Sequence, residues 1–322
     1  WRVCMPYSLQ LEAIITHAVS QLAYKWLPLP LSFPTRLLLA EAMQVSERID
    51  PFHLTLGYWH SYIEGQRDNV SASAWVGVCE RRSFSPMGLA TVIFDNLLQI
   101  HRHEASLIDY FHPLYPYLLR HIQDPPACLT CMGDLSLLSK PKLGIVGSRK
   151  ASDFAYQESR ALAQALAEKG AVVVSGGALG CDAAAHLGAL ESDILPAPTI
   201  VVFAGGLHKF YPQCLDSLFT RLKRQKALFV SERLWEYPAR PMDFPVRIRI
   251  IAGLSSYLAL MQAAAKSGAL KTASYALEQG REVYVLVHES DDVRAEGSRR
   301  LIEEGALPFQ SYQDFLSLVL MY

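Results

Sequence analysis

The chain has 322 residues, 51% of them apolar, and its 30 Lys and Arg nearly balance 31 Asp and Glu for a formal charge of −1. That is enough apolar material for two domains, or one with a large extension, while the neutral balance excludes a protein-wide basic field, so any polyanion site has to be a local concentration of cations. No apolar run reaches the ~18 residues of a spanning helix, and the opening WRVCMPYSLQ is no secretory leader. The expectation is a globular cytoplasmic protein with no membrane partner.

Residues 1–109 carry helical stretches such as PTRLLLAEAMQ among aromatic and Pro-rich pieces, without a repeat or a chemical motif, and read as a mainly helical region of unclear type. Residues 110–141 contain Pro125-Pro126 and Pro141 and read as a connecting segment. Cys128 and Cys131 in this segment form a single C-x-x-C, with His101, His103, His112 and His121 upstream but no second pair at finger spacing. The six cysteines in a chain of this length suggest reduced thiols rather than a disulfide framework, and no metal is expected.

From Lys142 onward short apolar strands alternate with helical segments. LGIVG, AVVVS, TIVVFA, ALFVS, YLALMQ and EVYVLV are the strands; helices fall over 154–169, 182–191, 213–225 and 268–279. Runs of Val, Ile and Leu without polar alternation suit strands buried on both faces, and helices between them supply right-handed crossovers. The fold class is α/β: a Rossmann-like, doubly wound, mostly parallel sheet over 142–322, with the mainly helical region in front of it.

Ligands of such sheets bind beyond the carboxyl ends of the strands. Three successive ends carry bare backbone: Gly147-Ser148-Arg149, Ser175-Gly176-Gly177 and Gly205-Gly206. Glycine admits a ligand close to the main chain and a following helix N-terminus favours an anion, so phosphate is the expected guest. The dinucleotide fingerprint fails, because the first turn has one glycine and the second strand ends VVVSGG with no acidic residue; a P-loop motif is absent. Arg149 supplies a guanidinium fork in their place. Asp182 and His186, four apart on a helix, can be read as a catalytic pair with Ser175 or Ser148, or as a helix cap and a packing residue. With no nucleophile elbow in the chain, no catalytic residue is assigned.

These blocks resemble the DNA-processing protein A family, also called DprA or Smf. The likeness runs through YPYLLRHIQDPP, GIVGSR, SGGALGCDAAAH, GGLHKFYPQ, SERLWEYPARPMDFPVRIRIIAGLS, SGALKTASYALEQGREV and LIEEGA, roughly residues 110–310. The resemblance implies a single-stranded DNA binder that helps load the RecA recombinase during natural transformation, a homodimer, and no cofactor. The chain departs from the family pattern at Leu179, Cys181, Ile248, Gln262, Val287, His288 and Arg299. LPFQSYQDFLSLVLMY follows the matched stretch where the family commonly carries a winged helix.

Read with the strand ends, the resemblance points to one basic groove. Arg149 and Lys150 belong to the first turn and His208 and Lys209 to the third; Arg247 and Arg249 are expected on a loop, and Lys266 and Lys271 flank Ser267-Gly268 at a helix start. Phe244, beside the arginines, offers a face for a base or a core aromatic. Arg221, Lys223, Arg224 and Lys226 lie on a helix away from the strand ends and read as a solvated face. A Rossmann-type nucleotide-binding enzyme or sensor, such as a nucleotide hydrolase, is the alternative.

Overall fold

The computed structural model describes residues 99–320, apart from 101, 111 and 127. The helical region expected over 1–109 therefore lies, up to residue 98, outside the described residues. Among the described residues nine strands form one sheet. They are β1 (Ser106–Asp109), β2 (Cys128–Met132), β3 (Lys142–Val146), β4 (Val172–Gly176), β5 (Thr199–Phe203), β6 (Leu228–Ser231), β7 (Tyr257–Leu260), β8 (Glu282–Leu286) and β9 (Leu307–Phe309).

In space their order is β1-β2-β6-β5-β4-β3-β7-β8-β9. The strands from β6 to β9 are all parallel, while β2 joins β6 antiparallel and β1 joins β2 antiparallel. Residues 110–141, expected as a connecting segment, also contribute to the sheet itself. They give the sheet β2, whose five residues are all buried, and the short helix α1 (Tyr117–Arg120). The proline pair disguised an apolar strand that lies between β1 and β6 and covers the edge of β6.

The helices that follow are α2 (Asp153–Glu168), α3 (Cys181–Glu191), α4 (Asp216–Arg224), α5 (Asp243–Leu254), α6 (Gly268–Glu278), α7 (Glu296–Glu303) and α8 (Tyr312–Leu320). Alternate residues of the strands meet different helices, as the two-residue period requires. Leu143, Ile145 and Val173 pack with Leu162, Leu166 and Ala185 of α2 and α3. Val146, Val172 and Val174 face the other way, toward Ile251, Leu254, Ala273 and Ala276 of α5 and α6. The chain winds outward from β3 to β6 on one side, and α5 then carries it to the other face, where β7 lies parallel beside β3. β3 is the point where the winding reverses, so its carboxyl end opens into a crevice.

The stretch DFPVRIRIIAGL, expected as a loop, is helix α5. Three prolines, at 238, 241 and 245, suggested irregular chain, but Pro245 sits in the first helical turn, where its missing N–H costs no intrahelical bond. Every residue from Arg247 to Leu254 is buried, because α5 packs against α1, α6 and strands β3 to β5. A helix covered on all sides has no polar stripe to betray its period.

Candidate functional site

The turns after β3 and β4 are built against each other. Gly180 begins α3 at φ 77°, and a side chain there would strike the Ser148 carbonyl and Arg149 backbone. The Cys181 N–H donates to Ser148 O at 3.2 Å. The Ser148 hydroxyl accepts from the Lys150 N–H at 3.1 Å, which turns the chain so that Arg149 and Lys150 both point into solvent.

Arg149 leans over the Phe244 ring, its Cζ 5.5 Å from the centroid, and Arg247 stands 5.5 Å from the same centroid. Tyr211, 54% exposed, meets Phe244 edge-on at 5.8 Å. Two guanidinium groups and two aromatic rings, from the β3 turn, the β5 turn and the first turns of α5, therefore converge on one place. Arg247 is the buried member. Among the described residues its one hydrogen bond runs from Nη1 to Val202 O at 3.3 Å, and Nε, shielded from solvent, has no protein acceptor. A guanidinium has five N–H donors, so Arg247 is left far short of satisfaction in a place where water is scarce.

Asp182, buried in the first turn of α3, is the near counter-charge. Burial raises its carboxyl to about pKa 6, opposed by the positive charge of Arg247 and then by the Ser175 hydroxyl, the Ala178 N–H and Arg149. Burial likewise lowers His186 to about 4. As a neutral ring, His186 donates from Nε2 to Gly176 O at 3.1 Å, and its Nδ1 accepts from the Thr199 hydroxyl at 2.8 Å. Both its nitrogens are spent inside the core. The Ser175 hydroxyl donates to Ile145 O at 2.6 Å and is fully buried. His186 is thus a packing residue, while Asp182 is not the helix cap, since Gly180 holds that position and Asp182 lies within the first turn; Ser175 ties β4 to β3.

The bare backbone of the strand ends also serves the protein. The space beside Gly147 holds Cys181, that beside Gly176 holds Arg247 Nη2 and Asp182 Oδ2, and that beside Gly177 holds Phe203. Gly205 and Gly206 lie beneath residues 234–239, and the Gly206 N–H already donates to Tyr237 O at 2.8 Å. On the side where a side chain would stand, each of these glycines is a position of close internal packing. Gly268 differs: nothing lies near its missing side chain, and it opens α6 behind the Ser267 cap, with Lys266 and Lys271 exposed on either side.

Arg249 is the clearest correction. Two residues on from Arg247 along a helix, it points to the far side of α5. There it donates to Glu232 at 2.7 Å and to the Asp124 carboxylate at 3.1 Å, with further bonds to Asp124 O and Val246 O. Its charge is consumed within the protein. His208 and Lys209 are exposed on the β5 turn, and Arg221, Lys223, Arg224 and Lys226 are exposed at the end of α4, where cations suit the helix dipole. Cys128 and Cys131 lie three apart on β2, which sends their side chains to opposite faces and denies them a shared metal. Tyr211 and Asp182 are the members of the constellation that residue-type reasoning did not assign to the groove.

Positions where the chain departs from the family pattern meet beyond β7 and β8. Gln262 accepts from the Ser152 N–H at 2.8 Å and donates from Nε2 to Asp292 at 3.0 Å. The His288 Nε2–H donates to Met261 O at 2.6 Å, and Arg299 donates to Glu289 O and Asp292 O at 3.1 and 2.9 Å. Leu179 is exposed and Ile248 buried. This end of the crevice is bonded to itself.

A doubly wound sheet with a buried arginine, exposed cations and the exposed Tyr211 ring at its strand ends defines a Rossmann-like α/β protein. The chain belongs to the DNA recombination-mediator protein A family, whose profile matches residues 106–320. It is 39% identical over 201 residues to DNA processing protein DprA of Bacillus subtilis (62% of this chain, 66% of the relative). It is 35% identical over 215 residues to protein Smf of Escherichia coli (67% and 57%). The chain thus spans less than two thirds of the length of these curated relatives. Among solved structures it is similar to DprA of Streptococcus pneumoniae, with TM-score 0.68 and 28% identity over 97% of this chain and 95% of that one. It is also similar to DNA processing protein A of Helicobacter pylori, described for its single-stranded DNA binding mode, with TM-score 0.61 and 30% identity over 68% and 96%. Among the described residues no helix is long and apolar enough to cross a membrane.

Proposed function

We propose that the protein binds single-stranded DNA without catalysing a reaction on it, and acts in the cytoplasm as a recombination mediator that protects incoming strands and loads a RecA-type recombinase during natural transformation. The observation that carries this reading is Arg247, a buried guanidinium whose Nε has no acceptor among the described residues, beside the exposed Arg149 at the carboxyl ends of the strands. A phosphate oxygen entering there would take up donors that none of the described residues satisfies, with Arg149 and Lys150 above it, and the exposed Tyr211 ring would offer a face to a flanking base. His208, Lys209, Lys266 and Lys271 extend the positive surface along the same edge of the sheet, and the Ser267-Gly268 helix start adds free N–H groups. Ser148, Ser175 and the glycines at 147, 176, 177, 205 and 206 shape this surface without needing to touch the strand. A homodimer, as the family resemblance implies, would double the groove.

A small-nucleotide enzyme is the weaker reading, because the strand-end glycines that would cradle a pyrophosphate are filled by the protein's own groups. The experiment is equilibrium binding of a fluorescent oligo-dT and of a duplex of equal length across a salt series, beside a nucleotide turnover assay. Tighter binding of the single strand, with a linear log–log salt dependence and no turnover, is expected. Equal or tighter duplex binding would overturn the reading.

A further inference from the structure

The carboxylate of Asp182 lies in the positive floor of the crevice, where an incoming phosphate has to meet it. Measured from the point where a side chain on Gly176 would begin, Arg247 Nη2 is 2.5 Å away and Asp182 Oδ2 is 2.8 Å away. Both groups are more than nine-tenths buried. They are nonetheless not hydrogen-bonded to one another: among the described residues Arg247 bonds only Val202 O, and its Nε has no acceptor. Asp182 thus neutralises the floor at a distance without occupying the donors, and the vacant N–H groups remain the place for an external oxygen.

We propose that Asp182 positions Arg247 for the strand and gives up its negative charge when phosphate arrives, so that single-strand binding is coupled to the uptake of one proton. This rests on the single-strand reading given above. The step balances simply: a solvent proton adds to the Asp182 carboxylate, no covalent bond to the strand forms, and the phosphate takes the place of the lost charge opposite Arg247. Two anions beside one guanidinium repel, so the bound phosphate favours the protonated acid. Burial has already brought the carboxyl to about pKa 6, so the proton is available near neutral pH.

The charged and titratable groups around Asp182 are few. Arg247 of α5 and Arg149 of the β3 turn are cationic throughout the relevant range. Cys181, its neighbour on α3, is pushed up to about 12 by burial, and His186, one turn further on, is held down to about 4. Neither changes charge between pH 5.5 and 8.5, which leaves Asp182 as the titrating group in this buried cluster.

The test uses oligo-dT, whose bases do not titrate in this range, with the full chain at constant ionic strength from pH 5.5 to 8.5. The dissociation constant of the parent is expected to fall roughly threefold or more between pH 8 and pH 6, never steeper than the tenfold per pH unit that one proton allows. Calorimetry at pH 6.5 in two buffers of different ionisation enthalpy is expected to report net proton uptake. Asp182→Asn, which keeps the shape and loses the titration, is expected to bind with a flat pH profile and no proton uptake; Asp182→Glu is expected to restore a slope. His208→Gln is expected to keep the slope whatever its affinity. A pH slope that persists in Asp182→Asn, or vanishes in His208→Gln, overturns the proposal. Failure of the parent to bind oligo-dT at any pH would instead overturn the single-strand reading beneath it.

Discussion

Arg247 and Arg249 stand two residues apart on one helix, and replacing each separately is expected to damage different properties. Arg249 and Glu232 form an ion pair at 2.7 Å with both side chains 5% exposed. Removing the guanidinium strands a carboxylate in the interior, a change that costs about 3–5 kcal/mol in buried pairs. The second arm, to Asp124 at 3.1 Å, reaches a carboxylate that is 34% exposed and adds at most about 1 kcal/mol. Arg249→Ala should therefore lower the melting temperature by on the order of 10 °C for a folded unit of this size. Should that variant be too unstable to purify, Arg249→Met with Glu232→Gln removes both charges and should recover much of the loss. The slope of log affinity against log salt should be the parent's in every folded Arg249 variant. Arg247→Ala should do the reverse, reducing that slope by about 0.7, the value of one single-strand phosphate contact, with a smaller change in melting. Thermal melting and oligo-dT salt titrations on the same samples decide it. A shallower salt slope in Arg249→Ala, or an unchanged one in Arg247→Ala, would refute the assignment of the two faces.

Other outcomes follow from the same geometry. Arg149→Ala, at an exposed side chain, should weaken oligo-dT binding by about 1.5–3 kcal/mol and leave melting unchanged; normal binding would remove Arg149 from the site. Tyr211→Ala should cost about 1–3 kcal/mol of affinity with little effect of salt, as a lost stacking face does, and a loss that scales with salt would argue against stacking. His186 is held near pKa 4 against 6.5 in an unfolded chain, so the unfolded state binds more protons between those values and the parent gains stability as pH rises through them. Urea unfolding of His186→Gln should lack that gain, on the order of 3 kcal/mol between pH 4 and 7. Asp182 has the opposite sign: at about pKa 6 against 3.8, the folded state holds the extra proton, and stability is lost as pH rises through that window. The stability of Asp182→Asn relative to the parent should thus climb by on the order of 2–3 kcal/mol from pH 4 to 7, and a flat difference would show that the carboxyl is not raised.

The two opposing titrations explain part of what the sequence could not disclose. A buried Asp and His four apart looked like possible chemistry because residue type and spacing are all that a string of letters offers; their bonds to Gly176, Thr199 and Ala178 depend on strands brought in from elsewhere. The parallel strands β3 to β8 and helices α2, α3, α4 and α6 were legible because their apolar runs and glycine stops are local signals. Strands β1, β2 and β9 were missed, being short or framed by proline, and α5 was missed because complete burial erased its amphipathic period. Within the site, Arg149 was legible as a charge on a strand-end turn. Arg249 was misassigned because a sequence shows that a cation exists and not that Glu232, 17 positions away, consumes it. The strand-end glycines were correctly seen as places of close approach, but what approaches them is the protein itself.

The self-bonded end of the crevice beyond β7 and β8 acts as a boundary. Gln262, His288 and Arg299 donate to the Ser152 hydroxyl, Met261 O, Glu289 O and Asp292, and the exposed carboxylates of Glu289 and Asp291 stand just past them. On the proposed single-strand reading, a strand laid across the edge of the sheet would run from β5 through β4 and β3 to β7, three inter-strand spacings or about 14 Å. At the ~3.4 Å rise of a stacked strand that is room for roughly four nucleotides. One copy of this chain would thus measure out a short footprint, and covering a long strand would become a matter of how many copies line up along it.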